Sequence, residues 1–449
     1  MTGKEKILSL MSGKSVGQVP WVPFTGVHGA KLIGKKAEEF LKSKELILEG
    51  LNQVVQLYQP DGMPIYFDLQ VEAEALGAKL KWSDDNVPLA ITHPLMEGLT
   101  LDDILIPTKE SGRLPVILDV MESAKTKWGK SIALYGLVTG PLTIAYHLRG
   151  SMFFTDMIDD IDFVVELLSF ATKVSRKIST YYIEAGMDVI AIVDPLVSAV
   201  SPEFFKTHCQ LHFTNLFDNI SVKERKSSFF VCGNATNLLE AMALTNPDSI
   251  SVDENVNMKE AKEILSNRDI VLCGNIPLTT LMLYGNQQDN MKYVVDLIDE
   301  FDEFERLIVS PGCDMPFGIP KENVIAVSTA VRANEKLKQV IRNYEKTNTG
   351  IDIQFPDYTN LDDILIEVFT LDSNSCVVCT SMLDVALKAS TLLEDVKVIE
   401  RKYVDRGVIA RCKKQGVNKL PSIMVNGILV WESIVPSVEE IRNYVKKLN

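Results

Sequence analysis

Positive charge is outnumbered in this chain, with 46 lysine and arginine residues against 60 aspartate and glutamate residues, and the first 112 residues contain no arginine. The formal net charge is −14, and no block rich in lysine and arginine reverses it locally. Such a charge repels phosphate backbones and anionic lipid head groups. We therefore expect neither nucleic acid nor a membrane surface among the partners.

Long apolar runs are also missing. The stretch MTGKEKILSLMSGKSVGQVP has only a short, broken apolar segment, which is not typical of a signal peptide, and no later run is long enough to span a bilayer. A cytoplasmic location is therefore predicted. Cytosolic thiols are kept reduced, so we expect the important ones among the seven cysteines to act by metal binding, redox exchange or nucleophilicity.

Short β-branched or aromatic runs alternate along the chain with longer segments of helical period. Its 449 residues, 46% of them hydrophobic, predict one large domain and one small domain. Parallel strands joined by helices predict an α/β fold of the (β/α)8 TIM-barrel class. The segment 20–25 is the candidate eighth strand, and the other predicted strands are 63–68, 131–140, 187–194, 227–234, 249–254, 269–275 and 306–313.

Residues able to carry chemistry recur at the carboxyl ends of these runs, which meet at one mouth in a barrel. Cys232 and Cys313 end two different strands, where two thiolates are able to bind one soft cation. The alternative is that each is a small buried hydrophobic residue. Phe230, two residues before Cys232, should point to the same side of its strand and deeper into the barrel. The strand-end set is Asp68, Thr139, Asp194, Cys232, Asp253, Glu254, Asn275, Cys313 and Asp314.

A second pattern follows a polar segment and divides the chain into a barrel over 1–345, a linker over 346–362 and a small α/β domain over 363–449. The small domain is predicted to have the order β-α-β-α-β-β-α. Cys376-Val-Val-Cys379 follows a strand and opens a helix, where the helix dipole and free N–H groups lower a thiol pKa. With Pro421 before a later strand, this motif resembles the thioredoxin fold.

The resemblance to thioredoxin implies that Cys376 is the attacking thiol, that Cys379 resolves the mixed disulfide and that Pro421 faces them. The alternative is metal binding by the CxxC motif. That alternative needs two more ligands, and the domain offers only Cys412 as a further candidate.

Several spaced motifs occur in order between about residues 15 and 335. They are GLVTGPLTIAYHLRG, VCGN, ISVDENV, VLCGNI, LYGNQQ and IVSPGCDMPFGIPKENVIA. They resemble the uroporphyrinogen decarboxylase superfamily, specifically its methylcobamide:thiol methyltransferase branch. The resemblance implies a zinc ion held by His-x-Cys, by the cysteine of SPGC and by an acidic residue of SVDE.

On this chain the implied zinc ligands are Cys232, Cys313 and Glu254, with Asp253 as the adjacent alternative. The position of the family histidine is occupied by Phe230, which cannot bind a metal. His147 is one candidate to fill the gap, and His208 with His212 is another, although their helix should lie outside the barrel. Asp68 matches a strand-end acidic position and is predicted to handle a proton or orient a thiol, or else to cap the next helix.

The resemblance implies a corrinoid-dependent methyltransferase with a metal-activated small thiol and with free cobalamin or a corrinoid protein as the partner. The fused domain would keep the site thiols reduced or present its own thiol. The alternative is a catalytically degenerate barrel that binds a corrinoid protein while the C-terminal domain exchanges disulfides. Uroporphyrinogen decarboxylation is disfavoured, because that branch binds its acidic substrate through an arginine-rich N-terminal motif that is missing here.

Overall fold

Each run predicted as a barrel strand contributes to one curled parallel sheet in the computed structural model. The structure describes residues 1–223, 225–301, 306–345, 353–358, 360–374, 376–417 and 419–448. Seven strands of the described chain pair in the order β1-β4-β5-β6-β7-β8-β9. The predicted α/β barrel class is confirmed. The strands are β1 Gly62–Pro64, β4 Ala133–Thr139, β5 Val189–Val193, β6 Lys226–Val231, β7 Ser249–Val252, β8 Val271–Ile276 and β9 Leu307–Pro311, and a separate hairpin pairs β2 Leu80–Lys81 with β3 Leu89–Ala90.

The candidate eighth strand is a short bridging segment at Trp21. The backbone N–H of Val22 donates to the Val309 carbonyl at 3.0 Å, which joins this segment to β9. On the other side, the N–H of Asp61 donates to the Trp21 carbonyl at 2.9 Å, next to the start of β1. The segment therefore connects the two edges of the sheet and closes the ring.

Helices connect consecutive strands and pack around the sheet. No helix within the described ranges is both long and apolar enough to cross a membrane. The α-helices of this part are α1 Gly3–Leu10, α2 His28–Leu32, α3 Ala37–Lys42, α4 Lys44–Tyr58, α5 Val71–Ala75, α6 Leu114–Trp128, α7 Pro141–Arg149, α8 Met152–Asp159, α9 Ile161–Glu184, α10 Pro202–Phe204, α11 Gln210–Val222, α12 Leu239–Ala243, α13 Met258–Ile264, α14 Gln287–Asp299, α15 Lys321–Val331 and α16 Glu335–Arg342. Short 3₁₀ helices cover Pro94–Met96, Leu101–Asp103, Pro195–Ala199 and Thr236–Leu238, and π-helical turns cover Phe205–Cys209 and Leu278–Leu283.

Alternation along β6 separates its two adjacent phenylalanines. Phe229 faces the surrounding helices, where its ring centroid lies 4.5 Å from that of Phe213. Phe230 faces the barrel interior, 4.7 Å from the Phe24 ring and 5.9 Å from the Phe67 ring, and it is fully buried. Cys232 belongs to the same interior cluster, as the period of two predicts.

A second sheet forms the C-terminal domain, a name used here for residues 364–448. Its strands pair in the order β11-β10-β12-β13, with β10 parallel to β11 and antiparallel to β12. This is the predicted β-α-β-α-β-β-α order. The predicted linker, 346–362, lies partly outside the described residues, at 346–352 and 359. The elements are β10 Ile364–Thr370, α17 Val377–Ser390, β11 Val396–Lys402, α18 Arg406–Gln415, β12 Ser422–Val425, β13 Ile428–Glu432 and α19 Val438–Val445.

Candidate active site at the barrel mouth

Two cysteines from different strands meet at the mouth of the barrel. Cys232 directly follows β6 and Cys313 lies just after β9, with 6.0 Å between their Cα atoms. That separation is within the usual range for a disulfide, and the two sulfurs are joined as one. This differs from the expectation of reduced thiols, because the fold brings two residues 81 positions apart into bonding geometry. Cys232 is 9% exposed, and Cys313 is only partly buried.

The turn after Cys232 requires glycine. Gly233 has φ of +92°, a conformation that other residues rarely adopt. A Cβ atom at this position would also lie 2.5 Å from Oγ of Ser198. The close approach places the 3₁₀ segment Pro195–Ala199, which follows β5, directly beside the cysteine pair.

Glu254 lies next to the loop that carries Cys313. A Cβ atom on Gly312 would come within 2.7 Å of the Glu254 backbone nitrogen, so the two loops are in contact. The Glu254 carboxylate accepts a hydrogen bond from the Leu278 N–H. Burial, with the neighbouring charge of Asp253, raises the pKa of Glu254 to about 8.

The predicted zinc set is not assembled. Over the residues that the structure describes, no three histidine, cysteine, aspartate or glutamate side chains are grouped so that they could hold a metal ion. Cys232 and Cys313 come together, but Glu254 does not complete the set. A catalytic zinc ion takes three protein ligands, so these side chains as placed do not fit one.

The candidate histidines do not supply the missing ligand. His147 is buried, neither of its ring nitrogens has a hydrogen-bond partner, and burial lowers its pKa to about 3. The His212 Nδ1 lies 2.9 Å from Oγ1 of Thr172, on the neighbouring outer helix α9. His208 lies in the adjoining π-helical turn, so the position expected for this pair, outside the barrel, agrees with the structure.

Asp68 is held in a buried ion pair. Nη1 of Arg113 donates to its Oδ2 at 2.6 Å, and the Gln70 N–H donates to its Oδ1 at 2.9 Å. Arg113 also donates through Nε to Glu74 at 2.6 Å. Burial raises the pKa of Asp68 while the arginine opposes that rise. Both carboxylate oxygens are engaged within the protein. The predicted helix cap is not formed, because the N-cap of α5 is Gln70 and no side chain caps that helix.

The ion pair between Arg113 and Asp68 was not predicted, because no local spacing connects an arginine with a carboxylate 45 residues earlier. Arg113→Leu should lower the free energy of unfolding by about 3–5 kcal/mol, since it leaves Asp68 and Glu74 without their cation. Urea denaturation measures the loss. Arg342→Leu is the matched control, because Arg342 also pairs with two carboxylates but near the surface, and its loss should be much smaller. Equal losses in the two variants would contradict this account.

Two other strand-end residues are also tied into the scaffold. Asp194 accepts hydrogen bonds from the N–H of Leu142 at 2.8 Å and from the N–H and hydroxyl of Thr143, so it caps the start of α7. Thr139 donates its hydroxyl to Glu72 at 2.6 Å. Burial raises the pKa of both Asp194 and Glu72 to about 7. These groups position the rim, and the cysteine pair remains the candidate centre of the chemistry.

The CxxC motif occupies the start of α17. Cys376 is its N-cap, and its Sγ accepts the N–H of Cys379 at 3.3 Å. The two sulfurs are joined as a disulfide, with Cys376 partly buried and Cys379 fully buried. Pro421 precedes β12 and has a cis peptide bond with Leu420. Cys376 thus lies at a helix start and Pro421 directly before a strand.

Fold and site together define a parallel α/β barrel with a cysteine pair at the carboxyl ends of its strands. The family model described as "Uroporphyrinogen decarboxylase (URO-D)" matches residues 2–334, and the chain belongs to this family. The match ends before the C-terminal domain.

Similar proteins are named either as methyltransferases or as decarboxylases. The chain is 24% identical to methylcobamide:CoM methyltransferase MtbA of Methanosarcina acetivorans, over 77% of this chain and 98% of that protein. It is 24% identical to uroporphyrinogen decarboxylase of Geobacter sulfurreducens, over 64% of this chain and 84% of that protein. A solved methyltransferase from Methanosarcina mazei is 25% identical, with a TM-score of 0.68 over 74% of this chain and 98% of that one.

Proposed function

We propose that this protein transfers a methyl group between a methylcorrinoid, either free or on a corrinoid protein, and a small thiol. The observation that carries the proposal is the meeting of Cys232 and Cys313 at the mouth of a URO-D-family barrel. The similarity to methylcobamide:CoM methyltransferases supports the choice of reaction. A thiolate is a soft nucleophile suited to a methyl group on cobalt.

The proposed chemistry uses the reduced cysteine pair. With their Cα atoms 6.0 Å apart, one thiol is able to donate a hydrogen bond to the other's thiolate and so stabilise it. That thiolate takes the proton of the substrate thiol. The substrate sulfur then attacks the methyl carbon, and both electrons of the broken methyl–cobalt bond stay with the corrinoid. No step is assigned to zinc, because the third ligand is not assembled.

The test is an assay of reduced full-length protein with methylcobalamin and a panel of thiols that includes coenzyme M and homocysteine. The expected result is loss of the methyl–cobalt absorbance faster than in the control without protein. No reaction with any thiol, with a cognate corrinoid protein also tried, would overturn the proposal and favour the alternative of a corrinoid-protein binding platform.

Uroporphyrinogen should not be decarboxylated. A substrate with many carboxylates needs cationic partners, and the first arginine of the chain, Arg113, is already paired with Asp68 and Glu74. Incubation with uroporphyrinogen followed by chromatography should show no coproporphyrinogen above the blank. Its formation at a rate proportional to protein concentration would contradict this expectation.

We further propose that the C-terminal domain is a thioredoxin-like module with a working dithiol. Cys376 is the attacking thiol, because it sits at the helix N-terminus and is the more exposed of the two. Alkylation of the reduced protein with a limiting amount of iodoacetamide at mildly alkaline pH should label Cys376 several-fold faster than Cys379. Peptide mass mapping reads the order, and equal or preferential labelling of Cys379 would reverse the assignment.

A further inference from the structure

The C-terminal domain rests on the loops that form the barrel mouth. Helix α17 packs against the segment Pro195–Ala199, which follows β5 and touches Gly233 beside Cys232. On the same helix, Ser381 hydrogen-bonds Tyr146 of α7, and Lys388 donates to the Ser151 hydroxyl. Helix α17 is therefore in contact with the segment after β5, which lies next to the cysteine pair, and with α7 and the turn that follows it.

A second contact lies beyond β11. The Tyr284 hydroxyl, which follows β8 in the barrel, donates to the Val404 carbonyl. The Arg406 guanidinium lies 4.6 Å from the centroid of the Tyr284 ring. Tyr403 lies within electrostatic range of Glu254, the carboxylate next to the Cys313 loop. This contact is thus with the loops after β7 and β8.

The contacts of Tyr403, Val404 and Arg406 belong to one edge of the C-terminal sheet. Strands β10 and β11 run parallel, so Cys376, after β10, and Tyr403, after β11, lie at the same edge. Strand β12 is antiparallel and begins opposite the end of β10, which brings Pro421 to that edge as well. The edge that carries the CxxC motif is the edge that faces the mouth.

From this arrangement we infer that the dithiol of the C-terminal domain reduces the Cys232–Cys313 disulfide of the same chain. The Cys376 thiolate attacks a sulfur of that disulfide, and the other sulfur leaves as a thiolate that takes up a proton. Cys379 then loses its proton and attacks Cys376, which releases the second thiol. Two electrons pass from one pair to the other, and an external dithiol reductant restores Cys376 and Cys379.

The solvent exposure of the two cysteines indicates which sulfur of the Cys232–Cys313 disulfide is attacked. Cys313 is more exposed than Cys232, so Cys313 is the sulfur that an incoming thiolate meets. Because the two pairs belong to one chain, the encounter proceeds at a millimolar-range effective concentration. The inference rests on the proposed dithiol activity, and it makes the mouth thiols available for the proposed methyl transfer.

A trapping variant of the full-length chain tests the exchange. In Cys379→Ser the resolving thiol is gone, so reaction of reduced Cys376 with the oxidised mouth pair should stop at a mixed disulfide. Non-reducing peptide mapping of the monomer should find Cys376 joined to Cys313. The matched variant Cys412→Ser, which removes a buried cysteine of the same domain, should give no such peptide. An intact Cys232–Cys313 disulfide beside an unlinked Cys376 would overturn the inference.

A kinetic measurement on the natural sequence does not depend on that variant. One equivalent of a dithiol reductant is added to oxidised protein, and each pair is followed by differential alkylation. Cys376 and Cys379 should be reduced first and should then pass their electrons to Cys232 and Cys313. In Cys376→Ser, reduction of the mouth pair should slow on the order of 100-fold. Equal rates in the two proteins would contradict the relay.

Reduction of a small soluble disulfide, hydroxyethyl disulfide, tests the dithiol activity of the C-terminal domain separately from its exchange with the Cys232–Cys313 disulfide. If the full-length chain reduces it but the mouth pair is neither trapped nor reduced faster, only the relay between the two pairs fails. If the small disulfide is not reduced either, the proposed dithiol activity fails as well.

Discussion

Replacing Cys313 by alanine should lower the rate of methyl transfer from methylcobalamin to a thiol by roughly 100-fold or more, which is the scale of a lost proton acceptor. Cys313 is the more exposed member of the mouth pair, and its removal leaves Cys232 without the partner that stabilises a thiolate. Cys232→Ala should have an effect of similar size for the same reason. The measurement is the decay of the methyl–cobalt absorbance with reduced protein at saturating thiol.

Cys209→Ala is the control for this prediction. Cys209 is also a buried cysteine, but it lies in the π-helical turn before α11, on the outer layer of the barrel. Its replacement should leave the rate within about twofold of the unmodified protein. If activity is unchanged in both Cys232→Ala and Cys313→Ala, the cysteine pair is not the centre of the chemistry.

Phe230→His should raise the zinc affinity of the reduced protein by at least about tenfold. Phe230 lies on the same side of β6 as Cys232 and inside the same cluster. A histidine there adds a nitrogen ligand to the two thiols and so completes the three-ligand set that a catalytic zinc ion takes. Competition against a chromogenic chelator under anaerobic conditions measures the affinity, with the unmodified protein as the baseline.

Phe230→Leu is the matched variant, because it also disrupts the aromatic contacts with Phe24 and Phe67 but adds no ligand. It should leave zinc affinity unchanged. A zinc affinity for Phe230→His no higher than that of Phe230→Leu would show that the family metal geometry is not inherited by this chain. The comparison decides whether one aromatic side chain is what separates this barrel from a zinc-binding one.

Local patterns were sufficient for most of the architecture. The run Val189–Val193 is apolar throughout, as a strand buried on both faces must be, and it proved to be a barrel strand. The bridging segment at Trp21 was harder to recognise, because it is paired through only a few backbone hydrogen bonds. In the C-terminal domain, the helix start at Cys376 follows from the strand–loop–helix order, which is local information.

The sequence by itself determined the barrel, the order of elements in the C-terminal domain and the placement of cysteines at strand ends, because periodicity and spacing act between near neighbours. The family was indicated by the resemblance of its motifs. Only the tertiary structure decided which distant groups meet. It joined Cys232 to Cys313, gave Asp68 the cation of Arg113 and placed Val404 of the C-terminal domain against Tyr284 of the barrel. It also left Glu254 bound to the Leu278 N–H and outside a metal set. Such pairings depend on how whole elements pack, and no spacing along the chain encodes the distance between two side chains brought together by the closed barrel.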